Sequence, residues 1–217
     1  AMTLGTATLA PIMSTTVFAA PVAASEQQAT NNLVKQLSNI RSLSANFEQT
    51  TKATSGSKVA QKKGLTGQHM NQTFKGVMKV ARPGKFFWET TSPSKQTIVT
   101  SGKTVWIYDP DLQQAVRQSL DDQVANTPAL LLSGNTSQIM QSYRVTQPDK
   151  SKTYYTLLPI DRDGAFQSLT ISFGVNKAPS LMILEDSLGQ TTYVRFNNVK
   201  VNPSIPASTF NFTPPKG

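Results

Sequence analysis

The chain has few of the side chains that usually carry out catalysis. It contains one histidine, His69, and no cysteine. His69 lies in a polar stretch rich in Thr, Ser, Gly, Lys and Gln, and no Gly-x-Ser-x-Gly elbow accompanies it, so a Ser-His-acid triad is not supported. The same scarcity argues against a zinc site. We therefore expect a binding protein with no cofactor and no metal, and not an enzyme.

Two acidic pairs and one arginine are the remaining candidates for chemistry. Asp109 with Asp111, and Asp161 with Asp163, lie in turn sequences, and turn formation explains them better than calcium binding does. Arg82 opens the turn Arg82-Pro83-Gly84 between two alternating strands, and Phe86 and Trp88 follow on one face. Arg82 is either a surface residue of an ordinary hairpin or a side chain that reaches into an apolar concavity to bond another element.

Helical patterns occur in only two parts of the chain. Leu33, Leu37 and Ile40 recur at helical spacing after a capping-box sequence at residues 25–28, which predicts an amphipathic helix at 26–41. Between residues 127 and 140, a proline at a first helical position starts one short apolar helix, and Asn135 starts a second. Such short helices are not stable alone, so they must lie on an apolar surface.

The rest of the chain shows the period-two pattern of about ten β-strands separated by turn signals. The predicted strands begin near residues 43, 74, 86, 96, 104, 114, 143, 153, 167, 180 and 190, and a last extended piece is expected at 210–212. Strand 104–108 is apolar on both faces, so both sides of the sheet are covered there. We predict a mainly β fold in which one strongly curved antiparallel sheet is covered on its concave, apolar side by the helices.

The first 24 residues carry no charge and end in small residues. This segment predicts the remnant of a secretory signal peptide, although a disordered leader is the alternative. It is too weakly apolar, and too interrupted by Pro11, to span a membrane. We expect residues 25–217 to form a single domain, and the absence of cysteine fits a bacterial periplasm. The apolar leader could itself lie in an apolar groove of this or a neighbouring molecule.

The net charge of +9 is unevenly distributed. Residues 33–108 carry twelve Lys or Arg against two acids. No nucleic-acid-binding motif is present, so nucleic acid is not the expected partner. An acidic protein surface, anionic lipid head groups, or no partner at all are the remaining interpretations.

An ordered set of short segments carries a resemblance to a known family. The segments are Ala45-Asn46-Phe47-Glu48-Gln49, Arg82-Pro83-Gly84 with Phe86 and Trp88, Pro93-x-x-Gln96 with Ile98-Val99, Gly102-Lys103 with Trp106, Tyr108-Asp109-Pro110-Asp111-Leu112-x-Gln114, Thr127-Pro128-Ala129, Gly189-Gln190, and Phe210-x-Phe212-Thr213-Pro214-Pro215-x-Gly217. In order and spacing they resemble the LolA family of periplasmic outer-membrane lipoprotein carriers over residues 33–217. Segment 51–73 looks longer than the corresponding hairpin of that family.

The resemblance implies an unclosed β-barrel with an α-helical lid, working as a monomer in the periplasm of a Gram-negative bacterium. It implies a chaperone that receives acylated lipoproteins from an inner-membrane lipoprotein-releasing ABC transporter and delivers them to an outer-membrane receptor. Arg82 matches the arginine that holds the lid shut, and Phe86 matches an aromatic at the surface used for partner contact. The residues that we expect to line the acyl-binding cavity are Phe47, Met78, Trp88, Trp106, Tyr108, Leu130, Leu131 and Ile139.

Two other functions fit parts of the pattern. The main alternative is a periplasmic lipid- or glycolipid-binding domain, or an envelope-stress sensor, that uses the same curved sheet without the transporter contact. A lipid hydrolase that uses His69 and the serines near Gly134 is the enzymatic alternative, and the lack of convergent titratable groups disfavours it.

Overall fold

A computed structural model describes residues 24–53, 71–101, 103–119, 127–161 and 166–215. The predicted leader, apart from Ala24, and most of the long 51–73 segment, including His69, lie outside the described residues. Among the described residues, no helix is both long and apolar enough to cross a bilayer.

The described elements are two α-helices, two 3-10 helices and eleven β-strands. The helices are α1 (Ala24–Ser38), the lid 3-10 helix (Pro128–Ser133), α2 (Thr136–Ser142) and the C-terminal 3-10 helix (Ala207–Phe210). The strands are β1 (Ser42–Ala53), β2 (Thr73–Ala81), β3 (Lys85–Ser92), β4 (Gln96–Ser101), β5 (Thr104–Asp109), β6 (Gln114–Ser119), β7 (Tyr143–Thr146), β8 (Tyr154–Pro159), β9 (Phe166–Phe173), β10 (Pro179–Asp186) and β11 (Gln190–Val201).

The eleven strands form one antiparallel sheet in the order β6-β5-β4-β3-β2-β1-β11-β10-β9-β8-β7. Strands β6 and β7 are its two edges, so the sheet is unclosed. The lid 3-10 helix and α2 come between β6 and β7 in the chain, so this connection passes from one edge to the other. The lid 3-10 helix contacts β2, β3 and β10, which lie well apart in the strand order, because the sheet curves around it. The predicted fold class is confirmed.

The core lies between the concave face of the sheet and the helices. One cluster of buried apolar residues joins the inward positions of the strands to the undersides of α1, the lid 3-10 helix and α2. Alternation along each strand explains the choice of face: in β3, Phe86 and Trp88 are buried while Phe87 and Glu89 are only half-buried. We call α1, the lid 3-10 helix and α2 together the lid.

Two element boundaries differ from those predicted. Helix α1 begins at Ala24, one residue before the capping-box serine, and ends at Ser38, earlier than the predicted residue 41. Its end is fixed by bonds outside the helix, because the Arg41 amide donates to the Asn202 side chain at 2.7 Å. The predicted extended piece at 210–212 is also wrong at its start, since Phe210 ends the C-terminal 3-10 helix. That helix packs on β3 and β4 and buries Phe210.

Candidate functional site

Arg82 lies in the tight turn between β2 and β3, at the rim of the sheet beneath the lid. Gly84 in this turn has a φ of 74°, a left-handed conformation that favours glycine. The Gly84 amide donates to the Ser133 carbonyl of the lid 3-10 helix at 2.8 Å. The Arg82 amide donates to the Arg41 carbonyl, just after α1, also at 2.8 Å. The backbone of the turn therefore already bonds the lid 3-10 helix and the residues just after α1.

The Arg82 guanidinium adds two shorter bonds to the same two parts. Nη1 donates to the Leu37 carbonyl in the last turn of α1 at 2.6 Å, and Nη2 donates to the Gly134 carbonyl after the lid 3-10 helix at 2.7 Å. Carbonyls at helix ends lack partners within the helix and carry partial negative charge. One half-buried side chain thus connects two separate lid elements to the sheet.

Neighbouring contacts leave acceptor capacity on these two carbonyls for Arg82. Besides Arg82, the Leu37 carbonyl accepts the Ile40 amide at 3.0 Å, while the Arg41 amide, which would continue α1 onto it, donates to Asn202. The Ser137 amide donates to the Asn135 side chain at 3.0 Å, so it does not bond the Gly134 carbonyl. The bound acceptors are neutral, and partial burial lowers the pKa of Arg82 below its ordinary value. A guanidinium remains cationic in proteins, so each bond is charge-assisted and is typically worth about 1.5–3 kcal/mol.

The underside of the lid is almost entirely apolar. Its buried apolar side chains include Ala29, Leu33, Leu37, Ala129, Leu130, Leu132 and Ile139, each at most 3 % exposed. The buried hydroxyl of Ser133 donates to the Leu130 carbonyl at 2.7 Å. Fully burying one leucine is worth about 1.5–3 kcal/mol, so the closed lid is held mainly by apolar contact with the concave sheet. The hydrogen bonds of Arg82 are directional, so they fix where α1 and the lid 3-10 helix lie relative to the turn.

A surface ion pair holds the first half of α1. The Arg144 guanidinium on β7 donates to both carboxylate oxygens of Glu26, with the Nε to Oε2 distance at 3.3 Å. This bond and the positive charge lower the pKa of Glu26 below its ordinary value of 4.5. Because the folded-state pKa is lowered, the ion pair contributes above that ordinary value and is lost as the pH falls through the lowered one.

A cavity of about 310 Å³ opens on the concave face at the end of the sheet far from Arg82. Phe47, Trp88 and Ile98 form its apolar floor. The Phe47 and Trp88 rings stack with centroids 3.5 Å apart and planes at 17°. The cavity lies at the small end of the roughly 300–1,000 Å³ typical of small-molecule pockets. Beside this cavity, buried apolar side chains of the sheet and of the lid pack in one cluster.

Gly76 makes room for the aromatic floor of this cavity. A Cβ atom at Gly76 would lie 1.9 Å from the Glu89 carbonyl oxygen and 2.7 Å from the Phe47 ring. The carbonyl belongs to the neighbouring strand β3, so it cannot retreat without disturbing the pairing of β2 with β3. Only glycine fits at this position.

We expect Gly76→Ala to lower the free energy of unfolding by about 1–3 kcal/mol, because the added methyl group overpacks the strand pair and displaces the Phe47 ring. Urea denaturation followed by tryptophan fluorescence measures both the loss and the changed environment of Trp88. Gly174→Ala is the matched control, since a Cβ there meets nothing closer than 3.7 Å. Equal stability of the two variants would contradict the steric explanation.

The predicted cavity residues divide into two groups. Phe47, Met78 and Trp88 lie buried on the concave face, Leu130 and Ile139 lie buried on the underside of the lid, and Leu131 packs against the core while half-buried. Trp106 and Tyr108 were wrongly assigned to the cavity. Their rings contact Phe212 of the C-terminal segment at 5.8 and 5.7 Å between centroids.

Strand alternation explains this correction. Val105 and Ile107 take the inward positions of β5, where Val105 is fully buried, so Trp106 and Tyr108 point to the convex face. Phe212 and the residues before it cover this pair on the outside. The two aromatic residues therefore attach the C-terminal segment to the outer surface.

The expected surface position of Phe86 is also wrong. Phe86 is 0 % exposed, and its ring stacks with Trp88 at 6.0 Å inside the core. Its inward position follows from the same alternation that buries Trp88. Direct contact of Phe86 with a partner is therefore not available in this closed conformation.

Sequence reasoning missed the polar residues of the cavity. Gln49 continues the inward positions of β1 after Phe47, and Thr90 and Gln96 lie beside the aromatic floor. The period-two pattern that identified Phe47 could have placed Gln49 on the same face.

Comparison with known proteins agrees with this architecture. The family model described as outer membrane lipoprotein carrier protein LolA matches residues 38–213. An outer-membrane lipoprotein carrier protein of Hahella chejuensis is 42 % identical over 184 residues, covering 83 % of this chain and 82 % of that protein. A protein of the same description from Pseudomonas putida (strain W619) is 38 % identical over 192 residues, covering 88 % and 85 %.

Among solved structures, a LolA superfamily protein of Nitrosomonas europaea is similar in fold. The TM-score is 0.52 at 16 % identity, and the match covers 85 % of this chain and 98 % of the other. This likeness bears on the fold alone.

Proposed function

The chain belongs to the LolA family of outer-membrane lipoprotein carriers, and from this membership we propose how its lid and sheet carry lipoproteins through the periplasm. The protein is a lipoprotein chaperone. In our proposal its concave sheet shields the acyl chains, its lid covers the sheet when no cargo is bound, and Arg82 holds the lid in place. Residues 25–217 act as a single carrier domain and as a monomer.

The physical need for such a carrier follows from the acyl chains. A lipoprotein carries about three long acyl chains, and each buried methylene is worth roughly 0.8 kcal/mol, so exposing the chains to water costs on the order of tens of kcal/mol. A carrier must therefore offer a comparable apolar surface. The concave sheet offers one only when the leucines of the lid move away from it.

The observation that carries the proposal is the pair of bonds from Arg82 to the Leu37 and Gly134 carbonyls. Both bonds depend on the closed position of the lid, since each acceptor belongs to a lid element or its end. Cargo that displaces the lid breaks them and leaves a half-buried cation without its partners. This penalty lowers the affinity for cargo, so loading requires an energy source and unloading is favourable.

Costly loading and favourable unloading support one partner that loads the carrier and another that receives the cargo. We propose that an inner-membrane lipoprotein-releasing ABC transporter supplies the energy for loading, and that an outer-membrane lipoprotein receptor accepts the cargo. The carrier itself makes and breaks no covalent bond in this scheme. The alternative function, a lipid or glycolipid binder or stress sensor, is not favoured, because relatives 34–42 % identical to the chain are named as lipoprotein carriers.

The proposed function is tested by the cargo that the protein acquires in a Gram-negative periplasm. We expect mass spectrometry of the purified protein to find peptides with triacylated N-terminal cysteines. Protein that has been delipidated and returned to buffer serves as the control. Recovery of phospholipid or glycolipid alone would contradict the carrier function and favour the alternative.

A further inference from the structure

The cavity described above combines an apolar floor with several polar side chains. Gln49, Thr90, Ser94 and Gln96 line it, and their side chains make no hydrogen bond to the described part of the chain. Gln49 and Gln96 are half-buried, so their carboxamides remain accessible from the cavity. A ligand that supplies hydrogen-bond partners to these side chains gains binding free energy from them.

The charge of the described lining residues is negative. Among the described lining residues there is no lysine or arginine, and the one ionisable group is the Asp109 carboxylate. Its Oδ1 accepts the amides of Asp111 and Leu112, both at 3.1 Å, so Asp109 mainly organises the turn after β5. Among these described lining residues a phosphate would meet no cation and one negative charge. Carboxamides and hydroxyls instead suit uncharged carbonyls.

We propose that this cavity is a subsite for the uncharged polar head of the acylated cysteine, its glycerol ester and amide carbonyls, and that it disfavours phospholipid head groups. The amides of Gln49 and Gln96 donate to those carbonyls, while Phe47 and Trp88 contact the first methylenes of the chains. This inference rests on the proposed function and adds to it a basis for distinguishing lipoproteins from the phospholipids of the same membranes.

The location of the subsite fits this role. It lies at the end of the concave face opposite Arg82, with Thr127 at the start of the lid among its lining residues. A head group held there directs its acyl chains along the concave face and under the lid. The head remains at the opening, where the polypeptide that follows the acylated cysteine can leave.

The test compares two probes that each carry two palmitoyl chains on a glycerol: a dipalmitoylglyceryl cysteinyl peptide with an acetylated N-terminus, and dipalmitoyl phosphatidylglycerol. Both displace a fluorescent fatty-acid analogue from the full chain. We expect Gln49→Leu and Gln96→Leu each to weaken lipopeptide binding about two- to tenfold, which is the usual effect of losing one neutral hydrogen bond. The double variant should lose the preference for the lipopeptide, with phosphatidylglycerol affinity changed less than about twofold.

Gln167→Leu is the matched control, since Gln167 is exposed on β9, away from the cavity. This variant should bind both probes as the wild type does. Thermal unfolding shows whether each variant is folded, and the two single variants keep the test valid if the double variant is not.

Equal weakening of both probes would overturn the inference, because the glutamines would then act on cavity shape. Equal wild-type affinity for both probes would also overturn it but leave the carrier function intact. A wild type that binds no lipopeptide would overturn both.

Discussion

Replacing Arg82 with leucine should give a folded carrier that binds lipoprotein more tightly and releases it more slowly. The change removes the guanidinium bonds to the Leu37 and Gly134 carbonyls, which exist only with the lid closed. Solvent screens the half-buried guanidinium, so we expect the closed state to lose about 1.5–3 kcal/mol in all, less than the sum of two full charge-assisted bonds. Opening becomes easier by that amount, and cargo affinity rises roughly ten- to 150-fold. Transfer of a fluorescent lipopeptide from the loaded carrier to detergent micelles measures the release.

Two further variants separate the role of the bonds from that of the charge. Arg82→Lys keeps the positive charge but not the planar fork that reaches two carbonyls, so its release rate should be intermediate. Arg195→Leu removes a charge from an exposed position on β11 and should leave release unchanged. Equal release by Arg82→Leu and the wild type would show that the bonds do not set the lid equilibrium.

Replacing Phe86 with glutamate should prevent stable folding at neutral pH. Phe86 is fully buried beside Trp88, and an unpaired carboxylate at such a position costs several kcal/mol, against a total stability of about 5–15 kcal/mol. Circular dichroism and urea denaturation measure the effect. Phe86→Leu keeps the site apolar and should cost much less, on the order of 1–2 kcal/mol.

The neighbouring residue supplies a control for this prediction. Phe87 lies on the convex face, half-buried, with the Lys79 ammonium 5.8 Å from its ring centroid. Phe87→Glu puts the same new charge near a cation and partly in water, so it should remain folded. A stable Phe86→Glu variant that fails only to bind a partner would restore the surface role that the family resemblance implied.

The period-two pattern predicted the sheet well wherever one face is apolar and the other polar. It correctly gave Phe47, Met78 and Trp88 a common face. The pattern could not show which face of β5 is the inner one, because Trp106 and Tyr108 alternate with two other apolar residues, Val105 and Ile107. The C-terminal segment that contacts the two aromatic rings is distant in sequence. The choice depends on tertiary contact, which a local pattern does not contain.

The candidate site was predictable in position but not in detail. The sequence placed Arg82 in a turn beside apolar strands and left its partner open. The partner carbonyls belong to main-chain groups at residues 37 and 134, and main-chain acceptors have no sequence signature. Phe86 shows the opposite case: its own alternation with Trp88 indicated the burial that the structure shows, whereas the resemblance implied a surface position.

An open sheet that makes room for cargo also exposes rims at which other chains could add strands. One rim, β7, is only four residues long and is covered by α1. The other rim, β6, carries mostly polar side chains and an exposed arginine, Arg117. Edge-to-edge pairing of two molecules would bring their arginines together, and charged edge strands resist such pairing. Both edges of the unclosed sheet are thus protected against pairing with a second molecule.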